Sequence, residues 1–249
     1  MYPTPATPDE NLAAFGAALA HVDAALDWEA LGAAYCHEGG EGFFTEGARE
    51  AAVDAALRFA ADLGELLVPG GRSLYLGAGV AELPLLVFEQ LVLGREVVAV
   101  TLDGPEPAAL NAALALAEAE VGVDLPRLAT TGLDGLAPGF DHLWLVSVLT
   151  DPDAFPALHD ALYERHDVAD GATGRGHLAD DRARARVLVG AALALVTGDA
   201  AVLSTTDEEW TLVGPLLRTA GRGVVPSDRG RLSPIVGDVV RHVTLEPAP

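Results

Sequence analysis

Lysine is absent from this chain of 249 residues, so all 15 basic side chains are arginines. Without lysine there is no G-x-x-x-x-G-K-[ST] motif, and a phosphate-binding P-loop is excluded. Cysteine occurs once, at Cys36. An internal disulfide is therefore excluded, which suits a reducing cytosol. No serine stands in G-x-S-x-G, so hydrolase chemistry of that type has no support. The longest apolar run, Val187 to Val196, is too short to span a bilayer and reads as a buried helix. The opening "MYPTPATPDE" has neither a positive n-region nor an apolar h-region, so no signal peptide and a cytoplasmic location are expected. Isoleucine also occurs once, at Ile235, against abundant Ala, Leu, Val and Gly. That bias points to GC-rich coding, as in a bacterium.

Positive charge is scarce. The 37 acidic residues outnumber the basic ones and leave a formal net charge of −22. Such a surface repels phosphate backbones, which argues against nucleic acid as a partner and is compatible with small, neutral or cationic substrates. Otherwise the charge serves solubility. Half the residues are hydrophobic and 21% are charged, a globular composition. The length fits one large α/β domain, or such a domain with an added helical element.

Periodicity organises the chain. Helical patterns run from Asp9 to about Ala34 and from about Ala48 to Leu67, separated by "YCHEGGEGFFTEG". After Gly71, strands alternate with helices. Strands are expected at Ser73–Leu76, Glu96–Leu102, Arg127–Thr131, Asp141–Val148 and Ala200–Thr205, and late strands around Val224 and Val240. Helices are expected at about 81–93, 106–120, 152–165, 179–196 and 207–219. This order implies right-handed crossovers and a doubly wound, mainly parallel sheet. The last two strands lack a helix between them, so "PSDRGRLSPIVG" reads as a loop and the C-terminus as a hairpin with one antiparallel strand. The expected fold class is thus α/β, with residues 1–70 as an N-terminal helical cap and residues 71–249 as the α/β domain.

The most informative stretch is "RSLYLGAGVAELPLLVF", Arg72 to Phe88. An apolar strand runs into Gly77-Ala78-Gly79 and then into a helix. Ligands of such sheets sit at the carboxyl ends of the strands. Glycines let backbone approach a ligand closely, and the helix start offers free N–H groups. A dinucleotide fold wants G-x-G-x-x-G/A, but the sixth position here is Glu82, an acid where a pyrophosphate would lie. A nucleotide-dependent oxidoreductase is disfavoured on that ground. A nucleoside cofactor without phosphates is tolerated better.

From about Ser73 to Glu246 the sequence resembles the class I S-adenosylmethionine-dependent methyltransferases. "LYLGAGVA" is similar to their first motif, "VVAVTLD" to their second strand, "GFDHLWLVSVL" to their fourth and "GDAAVLST" to their fifth. The resemblance implies a Rossmann-like, seven-stranded fold, S-adenosylmethionine as cofactor and a small-molecule acceptor. It places Tyr75, Gly77, Ala78 and Gly79 at the cofactor. An acid after the second strand would take the ribose hydroxyls, since a carboxylate accepts two hydrogen bonds at once. The family's position is Thr101 here, with Asp103 as the substitute. Thr131, Leu133 and Asp134 are the options near the adenine amine. Ser147 to Asp151 would face the reacting methyl. Tyr75 replaces an acid and Ala81 a third glycine. Glu82 or Glu46 is placed to compensate for the missing acid.

Methyl transfer depends mostly on alignment, and a base is needed only for a protonated acceptor. His37 and Asp151 are the candidates. In the segment from Tyr35 to Gly47, Tyr35, His37, Glu38, Phe43, Phe44 and Glu46 form either a lid over cofactor and substrate or a tight connection with its aromatics in the core. "HDVADGATGRGHLADD" holds metal-ligand types without a metal-site spacing, and no metal is expected. Two functions stay open: methyl transfer, and a catalytically inactive methyltransferase-like domain that serves ligand binding or assembly. No oligomeric state is readable.

Overall fold

The computed structural model describes residues 7–35, 42–163, 172–173, 176–198, 200–233, 235 and 237–246. The chain forms two compact units, Met1–Gly132 and Leu133–Pro249. The boundary expected after residue 70 lies within the first of them.

The first unit opens with α1 (Pro8–Ala25), α2 (Trp28–Tyr35) and α3 (Glu46–Leu66). Thr7 starts α1 through a capping box with Glu10, and Thr45 caps α3 by accepting the Ala48 N–H. The single helix expected over residues 9–34 is two helices. Leu26 turns extended at the end of α1, and Asp27 accepts the Ala30 N–H at 3.0 Å to begin α2. The apolar face continues through Leu26 and Leu31, both buried, which is why periodicity alone hides the break.

Strands β1 (Arg72–Leu76), β2 (Glu96–Val100) and β3 (Leu128–Ala129) alternate with α4 (Leu83–Leu91) and α5 (Pro105–Val121). They lie in the order β3-β2-β1 and are parallel. Strand β3 is shorter than expected. The Asn111 side chain accepts its Leu128 N–H at 2.9 Å and donates to its Leu128 carbonyl at 2.8 Å, so an amide replaces a neighbouring strand. Helix α1 packs on α4 and α5, and α3 packs on α4. Phe15 meets Phe88 edge-on across the α1–α4 contact, with ring centroids 5.8 Å apart.

The second unit contains β4 (His142–Leu145), α6 (Pro156–Leu162), a small hairpin of β5 (Ala172–Thr173) and β6 (Gly176–His177), then α7 (Leu178–Leu195), β7 (Ala201–Thr206), α8 (Asp207–Thr219), β8 (Val224–Leu232) and β9 (Val239–Leu245). The large-sheet strands lie in the order β4-β7-β9-β8. β4 and β7 are parallel, while β9 runs antiparallel to both β7 and β8. The hairpin is as expected, but its loop is not. Pro226 to Leu232 continue β8, with an irregularity between Pro226 and Gly230. An edge strand tolerates proline because its outer N–H groups need no partner. Residues 187–195 are helical but not buried all round: Val189, Ala192 and Leu195 face the core, while Val187 is 74% exposed.

Helix α6 has no cap of its own. Asp181 lies in the first turn of α7 and accepts the Ala157 and Leu158 N–H groups at 2.8 and 3.2 Å. Arg184 holds the other Asp181 oxygen at 2.6 Å. The variant Asp181→Ala is expected to lower stability by about 1–2 kcal/mol, the upper range for a lost cap, because these N–H groups are buried. Urea unfolding of the variant beside the wild type checks this. Counted over both units, seven strands form a mainly parallel sheet with a C-terminal antiparallel hairpin, the doubly wound α/β class.

Candidate functional site

Strand β1 delivers the chain to Gly77, whose φ of +67° lies in the left-handed region that glycine enters without strain. The Gly77 N–H donates to the Val100 carbonyl at 2.7 Å and ties the turn to the end of β2. Two further turn N–H groups have carboxylate partners. Gly79 donates to Glu82 and Val80 donates to Glu106, each at 3.0 Å. Glu106, the second residue of α5, also accepts the Tyr35 hydroxyl from the end of α2. A Cβ at Gly79 would lie 2.6 Å from the Tyr35 hydroxyl oxygen and 2.8 Å from a Glu106 oxygen. The missing side chain is therefore what lets α2 and α5 meet over the turn.

Burial, and after it the charge of Glu106, pushes the Tyr35 phenol well above its usual range, so it remains a donor. Phe43 stacks on the Tyr35 ring at 5.9 Å, and Phe44 meets Tyr35, Phe43 and Trp28 edge-on at 4.9–5.4 Å. Arg49 lies over Trp28, 5.3 Å from the ring centroid. The structure thus brings Tyr35, Phe43 and Phe44 together. Phe44 is buried, while Phe43 and Glu46, the latter at the start of α3, are exposed. His37 and Glu38 lie outside the described residues.

Tyr75 is fully buried, and its hydroxyl donates to Glu89 of α4. The Ser73 hydroxyl donates to the same carboxylate, and Arg95 Nε reaches it at 3.1 Å. Arg95 Nε also donates to Ser73 Oγ at 2.8 Å. Burial first, and then the Glu89 charge, drives the Tyr75 phenol well up. This cluster fixes β1 immediately before the glycine turn. Ala78 is buried in that turn. Asp103 and Thr131, at the ends of β2 and β3, are exposed. Thr101 keeps a backbone role, donating its N–H to the Ala129 carbonyl at 2.9 Å.

In the second unit, β4 ends earlier than expected. Val146 to Leu149 leave the strand to meet a carboxylate that the sequence reading did not single out, Glu209 in the first turn of α8. Ser147 has φ +59° and is the positive-φ residue other than glycine among the described residues. Its N–H donates to Glu209 Oε2 at 3.2 Å, and the Leu149 N–H donates to Glu209 Oε1 at 2.7 Å. The Thr205 and Thr206 hydroxyls donate to Oε2 at 3.4 and 3.3 Å. Ser147 Oγ is buried with no hydrogen-bond partner among the described residues. The signal for Glu209 was present in the sequence, because Thr206-Asp-Glu-Glu209 is a capping box.

Burial raises the Glu209 carboxyl to about 7, and the backbone donors only partly oppose it. The raised value has a definite sign. Native Glu209 binds a proton that the unfolded chain releases near 4.5. Its contribution to stability is full below 4.5 and is lost as pH rises to about 7, on the order of 3 kcal/mol in total.

Asp151 lies at the start of the turn into α6. Its Oδ1 accepts the Asp153 and Ala154 N–H groups at 2.9 and 2.7 Å, so that oxygen has a structural role. Asp134 is exposed. Among the described residues, no group of three or more His, Cys, Asp or Glu side chains is placed to hold a metal ion. No described helix is long and apolar enough to cross a membrane.

No protein-family model and no curated protein sequence matches the chain. Solved structures do. The chain is similar to PH0851, with a TM-score of 0.50 and 13% identity over 78% of this chain and 46% of that one. It therefore spans about half the length of PH0851. It is also similar to the magnesium protoporphyrin IX methyltransferase of Synechocystis PCC 6803, with bound SAM, at a TM-score of 0.45 and 13% identity over 79% of each chain. A third likeness is to the precorrin-6y C5,15-methyltransferase of Geobacter metallireducens GS-15, at a TM-score of 0.43 and 13% identity over 76% of this chain and 87% of that one. At these identities the likeness concerns the fold alone. Numbered along the large sheet, the strands run 3-2-1 in the first unit and 4-5-7-6 in the second, with strand 7 antiparallel. The chain has the Rossmann-like fold of the class I methyltransferases.

Proposed function

We propose that the first unit binds S-adenosylmethionine at the Gly77–Val80 turn and that the protein transfers a methyl group to a small-molecule acceptor. One observation carries the reading: the turn N–H groups of Gly79 and Val80 already donate to Glu82 and Glu106. A pyrophosphate needs such N–H groups for itself and would meet two carboxylates. A sulfonium nucleoside brings the opposite chemistry, a net positive charge, an ammonium group and two ribose hydroxyls. Carboxylates suit all three. The residues present therefore fit the cofactor, which supplies the activated methyl group.

On this reading Glu106, with Asp103, takes hydroxyl groups, and Glu82 takes the ammonium in place of the acid that Tyr75 replaces. Tyr35, Phe43 and Phe44 form an aromatic wall beside the turn, contributed by an N-terminal helical extension of residues 1–70 to the α/β domain of residues 71–249. Thr131 and Asp134 remain the candidates for the adenine amine, and Ser147 and Asp151 for the acceptor side. The net charge of −22 favours a neutral or cationic small molecule over nucleic acid, and a cytoplasmic location goes with it.

A second reading rests on Tyr35. Its hydroxyl stands against Gly79, where a ligand would approach, as suits a methyltransferase-like domain that has kept the fold for binding or assembly. Thermal unfolding of the full chain decides between them. Ligand at 100 times its dissociation constant adds about 2.7 kcal/mol of stability. S-adenosylmethionine and S-adenosylhomocysteine are expected to raise the midpoint, and NAD is not. Unmoved midpoints with all three favour the second reading.

A further inference from the structure

We propose that Glu209 is the positioning residue of the loop after β4, and that it is a proton-governed clamp: the carboxylate holds Ser147 in its left-handed conformation, and the protonated acid releases it. The inference concerns the second unit alone and does not depend on the cofactor reading.

The two carboxyl oxygens are not equivalent. Oε1 takes the Leu149 N–H at 2.7 Å. Oε2 faces several donors: the Ser147 N–H at 3.2 Å, the Thr206 N–H at 3.5 Å, and the Thr205 and Thr206 hydroxyls at 3.4 and 3.3 Å. As a carboxylate the group is acceptor-only and serves donors on both oxygens. A proton added at Oε2 becomes one more hydrogen there and needs an acceptor of its own. The threonine hydroxyls can rotate to accept it. The backbone N–H groups of Ser147 and Thr206 cannot change role; the Thr206 contact, at 3.5 Å, is already marginal, so Ser147 is the loop contact that the proton displaces. Leu149, on the other oxygen, keeps its bond. Ser147 has a Cβ and sits at φ +59°, a conformation that costs free energy and persists only while its surroundings hold it. Released, it relaxes toward negative φ and turns its buried Oγ, which has no hydrogen-bond partner among the described residues, away from its present position.

The charges around Glu209 do not substitute for this titration. From β7 it meets Thr205 and Thr206, neither of which ionises. On α8 itself, Asp207 is paired with Arg241 of β9, and Glu208 is its neighbour. The other ionisable side chain of β9 is His242, which is bonded to Ser204 at 2.8 Å. Helix α7, which also packs on α8, carries Asp180, the paired Asp181 and Arg184, Arg182 and Arg186. The loop itself ends at Asp151, whose Oδ1 faces the Asp153 and Ala154 N–H groups. Burial places the Glu209 transition at about 7, inside the range of ordinary cellular conditions.

The test is a nuclear magnetic resonance titration of the full chain from pH 5.5 to 8.5, following the Ser147 and Leu149 amides and the Glu209 side-chain carboxyl carbon. The Ser147 amide is expected to move with a midpoint near 7, together with the carboxyl carbon, and the Leu149 amide to move less. In Glu209→Gln the Ser147 transition is expected to vanish. A Ser147 amide that stays flat while the carboxyl titrates overturns the proposal, as does a transition that survives in Glu209→Gln. A carboxyl midpoint near 4.5 overturns it in the wild type alone, whatever the folding of the variant.

Discussion

Replacing Arg95 with methionine is expected to destabilise the first unit by about 3–5 kcal/mol, the cost of leaving a buried charge without its partner. Arg95 and Glu89 have fully buried side chains. Removal of the guanidinium leaves the Glu89 carboxylate with the Ser73 and Tyr75 hydroxyls as its remaining donors in this cluster. Those two neutral donors do not balance a full charge in a medium of low dielectric. The double replacement of Arg95 and Glu89 by apolar residues of similar size is expected to cost much less than the single one, because it strands no charge. Urea unfolding of both variants measures this. A loss below about 1 kcal/mol for the single variant would contradict a buried, paired cluster. The consequence reaches the candidate site, because only Leu76 separates Tyr75 from the glycine turn.

The second large effect is expected at Glu106. In Glu106→Ala the Val80 N–H and the Tyr35 hydroxyl both lose their acceptor. Hydrogen bonds to a charged group are worth about 1.5–3 kcal/mol each, so S-adenosylmethionine is expected to bind roughly ten- to a hundred-fold more weakly. The fold should survive, since Glu106 is only part-buried. Asp103→Ala is the control. Exposed and without a contact to the turn, Asp103 is expected to matter less than Glu106. A larger loss in Asp103→Ala than in Glu106→Ala would return the hydroxyl-binding role to the position that the sequence reading gave it.

That contrast shows where the sequence was legible. The strand–turn–helix from Arg72 to Leu91 could be read because an apolar run, two glycines and a second apolar run are all local. The C-terminal hairpin could be read from the absence of a helical pattern between two extended runs. Glu106 could not be assigned, because only the folded chain brings the start of α5 against the Gly79 turn and the end of α2. The early end of β4 has the same cause. Val146, Val148 and Leu149 are as apolar as the strand before them, and a carboxylate 60 residues away in sequence from Leu149 takes the Ser147 and Leu149 N–H groups. The break between α1 and α2 was hidden for another reason: Leu26 and Leu31 keep the helical face running across it.

In the sequence the aromatic residues near the turn lie in a glycine-rich segment, where lid and core are equal readings. Their arrangement combines features of both. Phe44 is buried against Trp28, while Tyr35 reaches outward to Glu106 and the glycine turn. A side chain anchored at one end in an aromatic cluster, and at the other on a carboxylate, loses little rotamer entropy when a ligand arrives, and so can wall a site at low cost.

On this account the carboxylates on the turn select a phosphate-free nucleoside that bears an ammonium group. Calorimetric titration of the wild-type chain with S-adenosylmethionine, S-adenosylhomocysteine and NAD tests it most directly. The account predicts saturable heat with the first two and none with NAD. Absence of heat with both sulfur ligands at millimolar concentration, or saturable binding of NAD, would contradict it.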